Sequence, residues 1–345
     1  MKTTNHPLRE LTIARIREFL REPEAVFWTY GFPLMLAVGL GIAFRDRPVD
    51  LAHVDVQAHA RAADIAARLA SRDDLVVAVR GEAECRDRLR LGKSSLVVVP
   101  GDPVTFVFDP NRPESALARE RVNDALQRAA GRQDPVRTSD TRVTEPGARY
   151  IDFLIPGLLG MNLMGGSLWG VGFVIVDMRV KKLLKRLAAT PMARPDFLWS
   201  IAGSRLLFMI PELVVILGAG VLLFGMPVRG SWLAVLALAI LGAGAFAGLG
   251  MLVACRAERI ETVSGLMNAV MVPMWLLSGI FFSSERFPDL LQPLVQALPL
   301  TQLNDALRAV ILEGASLASQ AWRVLALAAW GAVSFVLALR WFRWM

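Results

Sequence analysis

The stretch Asp177–Asp196, DMRVKKLLKRLAATPMARPD, decides how the rest of the chain is read. Its first half carries Arg179, Lys181, Lys182, Lys185 and Arg186, and its second half is broken by Pro191 and Pro195. An apolar run lies on each side: Phe153–Val176 has no charge, and Leu206–Val228 has only Glu212. A basic segment between two apolar runs is the pattern of a cytoplasmic loop, because Lys and Arg near span ends are retained on that side of a membrane.

Composition points the same way. Of 345 residues 54% are hydrophobic and 20% charged, with a mean hydropathy of +0.45. Several nearly charge-free runs approach the ~20 residues a helix needs to cross a ~30 Å hydrocarbon core. The net charge of +7 would suggest nucleic acid in a soluble protein. Here the excess is clustered beside the apolar runs, so membrane orientation explains it more simply.

Metal and nucleotide chemistry have little support. Three histidines (His6, His53, His59), two cysteines and no CxxC give no zinc or iron–sulfur pattern. Gly92-Lys93-Ser94 resembles the end of a P-loop, but that motif needs Gly five residues earlier and position 87 is Asp.

In chain order, residues 1–24 are expected to form a moderately amphipathic interfacial helix on the cytoplasmic face, with Pro23 ending or bending it. Its simpler reading is a basic flank for the next span. Residues 25–44 form the first span, expected to be uncleaved. Residues 45–149 differ in kind, with 18 basic and 17 acidic side chains. Alternation predicts strands at Leu51–Val56, Leu75–Val79, Leu96–Val99 and Val104–Phe108, with helices at Gln57–Ala70, Glu82–Leu91 and Glu114–Ala130. That is a compact α/β domain inserted between the first two spans.

The remaining spans are predicted at 150–176, 205–228, 231–254, 262–282 and 321–340, joined by a loop at 177–204, a short loop at 255–261 and an outer segment at 283–320, with a tail at 341–345. With six spans, the basic flanks at Lys2–Arg21, 179–194, Arg256/Arg259 and Arg340/Arg343 all fall on one side. The positive-inside rule then puts both termini in the cytoplasm and the α/β domain outside. Cys85 and Cys255 lie on opposite sides and cannot pair. The segment 283–320 is too proline-rich to cross and too apolar for a free loop, so two short re-entrant helices in the outer leaflet are expected. The fold class is an α-helical polytopic membrane protein of six transmembrane helices with an inserted extracytoplasmic α/β domain.

Four stretches resemble the permease subunits of ABC-2 type exporters, in the branch with a large external domain between the first two spans. They are the basic loop followed by Ala189-Thr190-Pro191, the segment Met274-Trp275-Leu276-Leu277-Ser278-Gly279-Ile280-Phe281-Phe282, the segment Leu298-Pro299-Leu300-Thr301 with Asp305-Ala306-Leu307-Arg308 and Gly314, and GKSSLVVVP at Gly92–Pro100. The resemblance implies pairing as a homodimer, or a heterodimer with a similar permease. It also implies two copies of an ABC ATPase on the cytoplasmic side, driving export of drugs, lipids or polysaccharide intermediates. The chain has neither GxxxxGK[ST] nor an LSGGQ-like stretch, so the resemblance places ATP and Mg on the partner ATPase and no cofactor on this chain. It is read as a transport subunit of a bacterial plasma (inner) membrane, not an enzyme.

The resemblance gives the loop a task, reception of ATPase motion, carried by Arg179, Lys181, Lys182, Lys185, Arg186, Thr190 and Pro191. The competing reading is that these cations only set topology and bind anionic headgroups. Asn162, Ser167, Asn268 and Ser278, uncharged polar groups in apolar runs, fit a translocation route or interhelical hydrogen bonds. Glu212, the one acid deep in a span, fits substrate handling or a pair with Arg205 one to two turns away. Pro299, Asp305 and Arg308 mark the outer re-entrant segment. A membrane receptor or scaffold presenting the α/β domain is the alternative class, although six spans exceed what an anchor needs. An ion-coupled transporter would require paired intramembrane acids or inverted repeats, and neither is visible.

Overall fold

The computed structural model describes residues 13, 16, 17, 19–43, 51–133, 149–189 and 194–341. The chain divides into two compact units, Asp46–Val143 and the remainder.

The smaller unit is a four-stranded sheet with three helices. Its strands are β1 (Ala52–Gln57), β2 (Leu75–Arg80), β3 (Leu96–Val99) and β4 (Thr105–Val107), and its helices are α2 (Ala62–Leu69), α3 (Glu82–Arg90) and α4 (Pro113–Ala129). The sheet order is β2-β1-β3-β4, with β1 parallel to both neighbours and β4 antiparallel to β3. Val54, Val56, Leu96 and Val98 point to one face and bury Ile65 and Leu69 of α2 and Val122 of α4. Side chains alternate along a strand, so Asp55 points to the opposite face. There it is 2% exposed and bridges Arg80 of β2 (3.2 Å) and Arg88 of α3 (2.9 Å). On the surface, Arg72 donates to Asp74 at 2.8 and 2.9 Å and holds that carboxyl below its ordinary range.

The larger unit is helical. A short apolar helix, α1 (Phe27–Ala43), precedes the small unit in sequence. After it come α5 (Tyr150–Val180), α6 (Leu183–Ala188), α7 (Arg194–Phe224), α8 (Trp232–Ala254), α9 (Ile260–Leu277), α10 (Gln292–Ala297), α11 (Pro299–Glu313) and α12 (Ala321–Trp341). Among the described residues, α5, α7, α8, α9 and α12 are long and apolar enough to cross a membrane, which makes the chain an α-helical polytopic membrane protein. Against the six spans counted from sequence, α1 falls short of that length over its described residues. The helix carrying the third apolar run is longer than the run itself, starting at Arg194 within the stretch read as loop.

Helices α5 and α8 are the centre, with 61% and 67% of their apolar windows buried against 22% for α9 and 17% for α12. Lipid tails are as apolar as leucine, so helices in a bilayer associate by close packing and hydrogen bonds rather than by hydrophobic drive. Glycine supplies the closeness here. A Cβ on Gly172 of α5 would stand 2.5 Å from the Gly250 carbonyl of α8, and one on Gly250 would stand 3.0 Å from the Leu168 carbonyl. The two backbones touch at this crossing.

The 283–320 segment holds a 3₁₀ turn at Ser284–Arg286, then α10 and α11. The 15 residues of α11 cannot span a bilayer. Its Leu300, Leu303, Leu307 and Val310 are fully buried in the main core. Pro299 starts it, where the missing N–H is no loss, and Gly314 ends it in the left-handed region at φ 73°. Both cysteines are buried and unbridged.

Candidate functional site

Among the described residues, two arginines are buried in the helical unit, and each sits over a glycine of α5. Arg205 of α7 is 5% exposed. Its Nε donates to Ser167 Oγ at 3.0 Å and its Nη2 to the Leu163 carbonyl at 3.4 Å, both on α5. Nη2 also lies 2.9 Å from Glu212 Oε2, two turns further along α7. Glu212 is fully buried, yet among the described residues neither of its oxygens has a hydrogen-bond partner of good angle. The contact is therefore chiefly coulombic. An alanine at 166 would put its Cβ 2.5 Å from Arg205 Nη2, so Gly166 is what lets the guanidinium lie against α5.

A cavity of about 410 Å³ opens beside this pair, within the ~300–1,000 Å³ of small-molecule sites. Its walls include the aromatic rings of Phe19, Trp28, Trp169 and Phe208 together with Asp177 and Arg205. Thr29 also lines it, and the Thr29 carbonyl accepts from Asn162 Nδ2 at 3.0 Å, tying α1 to α5. Tyr30 fixes α1 to α7 through its hydroxyl, which donates to the Phe208 carbonyl at 3.2 Å.

Arg308 of α11 is 8% exposed. It donates from Nε to the Phe153 carbonyl at 3.2 Å, and from Nη2 to the Gly279 carbonyl and to that of Ile280 at 3.4 Å. Its guanidinium stacks 3.6 Å from the centre of the Phe153 ring. Asp305 stands 3.6 Å away, one turn back. A Cβ on Gly157 of α5 would reach 2.8 Å from both Arg308 Nη2 and the Ile280 carbonyl. Asn304 adds a bond from Nδ2 to the Ser278 carbonyl at 3.0 Å. Gly279, at φ 68°, makes the turn that presents its carbonyl.

The basic loop shows a third arrangement. Lys182 has φ 58°, an unusual conformation for a residue with a side chain, and turns the chain from α5 into α6. Leu184 of α6 is 1% exposed in a core with Ile175, Met251, Ala254 and Val263. Lys182, Lys185 and Arg186 are exposed, and Lys181 pairs with Asp177 at 2.8 Å. Arg179 is different, because it turns inward onto the end of α8. Its Nη1 donates to the carbonyls of Ala254 (2.9 Å) and Ala257, and its Nη2 to that of Cys255 (3.2 Å). Thr190 and Pro191 lie outside the described residues.

Of the residues singled out for a route, Asn162, Ser167 and Glu212 converge around Arg205 and the cavity. Ser278 is instead buried at the Arg308 cluster, and Asn268 is exposed on α9. Sequence reasoning named Arg205 only as a partner for Glu212 and passed over Tyr30 and the aromatic walls. The glycines at 166 and 157 were the available signal, since a glycine facing a buried long side chain marks its seat.

Among the described residues no cluster of His, Cys, Asp and Glu could hold a metal. The ABC-2 family transporter protein model matches residues 24–340. A curated relative, ABC transporter G family member 20 of Dictyostelium discoideum, is 25% identical over 207 residues. That match covers 59% of this chain and 28% of the relative, so the chain matches little more than a quarter of the relative's length. The family match covers both units, including the buried arginines, the basic loop and the cavity walls other than Phe19 and Glu22, and the chain belongs to the ABC-2 family of transporter proteins, as a membrane component of an ABC transporter.

Proposed function

We propose that this chain is the permease half of an ATP-driven exporter in a bacterial plasma membrane. Two chains pair, as a homodimer or with a similar permease, and two copies of an ABC ATPase dock on the cytoplasmic face. ATP and Mg reside on that ATPase. Six crossings, counting α1, leave both termini inside and residues 45–149 outside. The cargo is drug-, lipid- or polysaccharide-like and leaves the cytoplasm or the inner leaflet.

One observation carries the reading. Among the described side chains, the short helix α6 buries Leu184 at the ends of α5, α8 and α9 and exposes Lys185 and Arg186, with Lys182 exposed in the turn before it. A cationic element fixed to the span ends by a buried leucine, in a chain with no nucleotide motif of its own, fits the contact that receives an external engine. The cavity beside Arg205 supports the cargo assignment. Its aromatic walls give non-directional contact area and its few charges give orientation.

The test is the triple substitution of Lys182, Lys185 and Arg186 to Ala. Membrane insertion should persist, because Arg256, Arg259 and Arg340 still mark the inner side, while ATP hydrolysis uncouples from transport and the ATPase co-purifies poorly. Unchanged coupling in the purified complex would sink the assignment.

A further inference from the structure

We propose that Arg179 is a positioning residue, the tie through which displacement of the basic loop reaches the inner ends of α8 and α9. This rests on the exporter reading and assigns Arg179 a role apart from the exposed cations beside it.

The geometry is specific. The last carbonyls of a helix have no partner within the helix, and they carry the negative end of its dipole. At the end of α8 these carbonyls, with those of the following turn, fall to one side chain. Arg179 reaches Ala254 in the last turn, Cys255 at the cap and Ala257 in the link to α9. A planar guanidinium presents five donors in a fixed fork, so it can hold three acceptors on a curved backbone at once. A lysine, whose donors share one nitrogen, cannot spread across the same three carbonyls.

The tie joins elements that are otherwise held by packing. Arg179 is three residues before the loop's left-handed turn at Lys182, and Leu184 just beyond it packs with Ala254, Ala257 and Val263. The link from Cys255 to Arg259 is therefore gripped at its start by hydrogen bonds and along its side by Leu184. Higher up, the Gly172–Gly250 contact fixes α5 against α8 backbone to backbone. A push on α6 then has a hydrogen-bonded route toward α9, through Arg179 and the 255–257 backbone. Helix α9 is free to respond, because only 22% of its apolar window is buried in the chain.

The experiment uses the full permease–ATPase complex with Cys85→Ala in all variants, which leaves Cys255 as the single thiol of this chain. Cys255 is 5% exposed, and its own carbonyl is one of the three in the grip. Its labelling by a maleimide reports opening of that backbone, compared between the nucleotide-free and the ATP–vanadate state. The control complex should label at different rates in the two states. Arg179→Ala should keep the ATPase bound, lose that nucleotide dependence and uncouple hydrolysis from transport. Arg179→Lys and Arg179→Gln, which retain a donor but cannot span three carbonyls, should lose part of it in graded fashion and cover the case of a poorly folded alanine variant. The tie is overturned if these variants bind the ATPase and keep the control's difference between states. It is equally overturned if Arg179→Ala, Arg179→Lys or Arg179→Gln releases the ATPase as the Lys182/Lys185/Arg186 variant does, since Arg179 would then be a docking contact. Failure of the control complex to form with any ATPase instead overturns the exporter reading, and the tie with it.

Discussion

Arg205 and Arg308 are both long cations buried in the helical unit, both over a glycine of α5, and they are satisfied in opposite ways. Arg205 has a buried carboxylate, Glu212, at 2.9 Å and few other partners. Arg308 has its nearest carboxylate at 3.6 Å and instead holds the carbonyls of Phe153, Gly279 and Ile280. The first arrangement centres on two side chains of one helix, with one bond each to Ser167 and the Leu163 carbonyl of α5. The second clasps the backbone of α5 and of the turn after α9 to a side chain of α11. A side-chain pair can be replaced as a unit, whereas a backbone clasp has no partner that mutation can remove. Arg205 thus has the construction of an adjustable element beside a cavity, and Arg308 that of a fixed joint.

The largest expected effect breaks the Arg205 side. Glu212→Gln keeps the shape but leaves the Arg205 charge buried without compensation, which should cost about 3–5 kcal/mol in SDS-denaturation measurements. The double variant Arg205→Met/Glu212→Leu should return to within about 1 kcal/mol of the parent, or exceed it, because apolar replacement of a buried ion pair removes its desolvation cost. If the double variant is as unstable as the single, Arg205 is a backbone clasp after all and the contrast fails. Next in size, Arg308→Met should cost about 2–3 kcal/mol, since up to three carbonyls lose a charged donor while the methylene packing on Phe153 is kept. No substitution at Asp305 should rescue it, where Arg205 loss is rescued at Glu212.

Much of this was legible in the sequence, for reasons particular residues make plain. A short apolar run such as Leu96–Val99 between polar turns located its strand, because a strand buried on both faces reads as continuously apolar. The first helix of that unit begins at Ala62, five residues after the expected Gln57, since β1 runs on to Gln57 and a turn follows. Glu212 stood out as an acid in an apolar run, and the seven-residue spacing to Arg205 placed both on one helical face. Arg308 was visible as a polar break in α11. The inward turn of Arg179 was not legible. A run of Lys and Arg reads as solvated, and what turns one of them inward is the left-handed residue at 182 and three carbonyls some 75 positions away. The aromatic cavity was hidden for a similar reason, because its walls come from α1, the residues before it, α5 and α7, and no local period marks them.

The smallest effect tests the comparison most sharply, because it asks whether Asp305 matters to Arg308 at all. The pair is an i, i+3 contact at 3.6 Å, with side chains 10% and 18% exposed. At that distance it is a weak ion pair rather than a directed hydrogen bond, and i, i+3 pairs on a helix contribute about 0.2–0.5 kcal/mol. Asp305→Asn should therefore shift the denaturation midpoint by less than about 1 kcal/mol, against several for Glu212→Gln. The carbonyls of Phe153, Gly279 and Ile280 take Arg308 Nε and Nη2, while Asp305 faces Nη1. A loss from Asp305→Asn equal to that from Glu212→Gln would mean that Arg308 depends on its carboxylate as Arg205 does, and the two sites would then be variants of one device rather than a joint and a switchable pair.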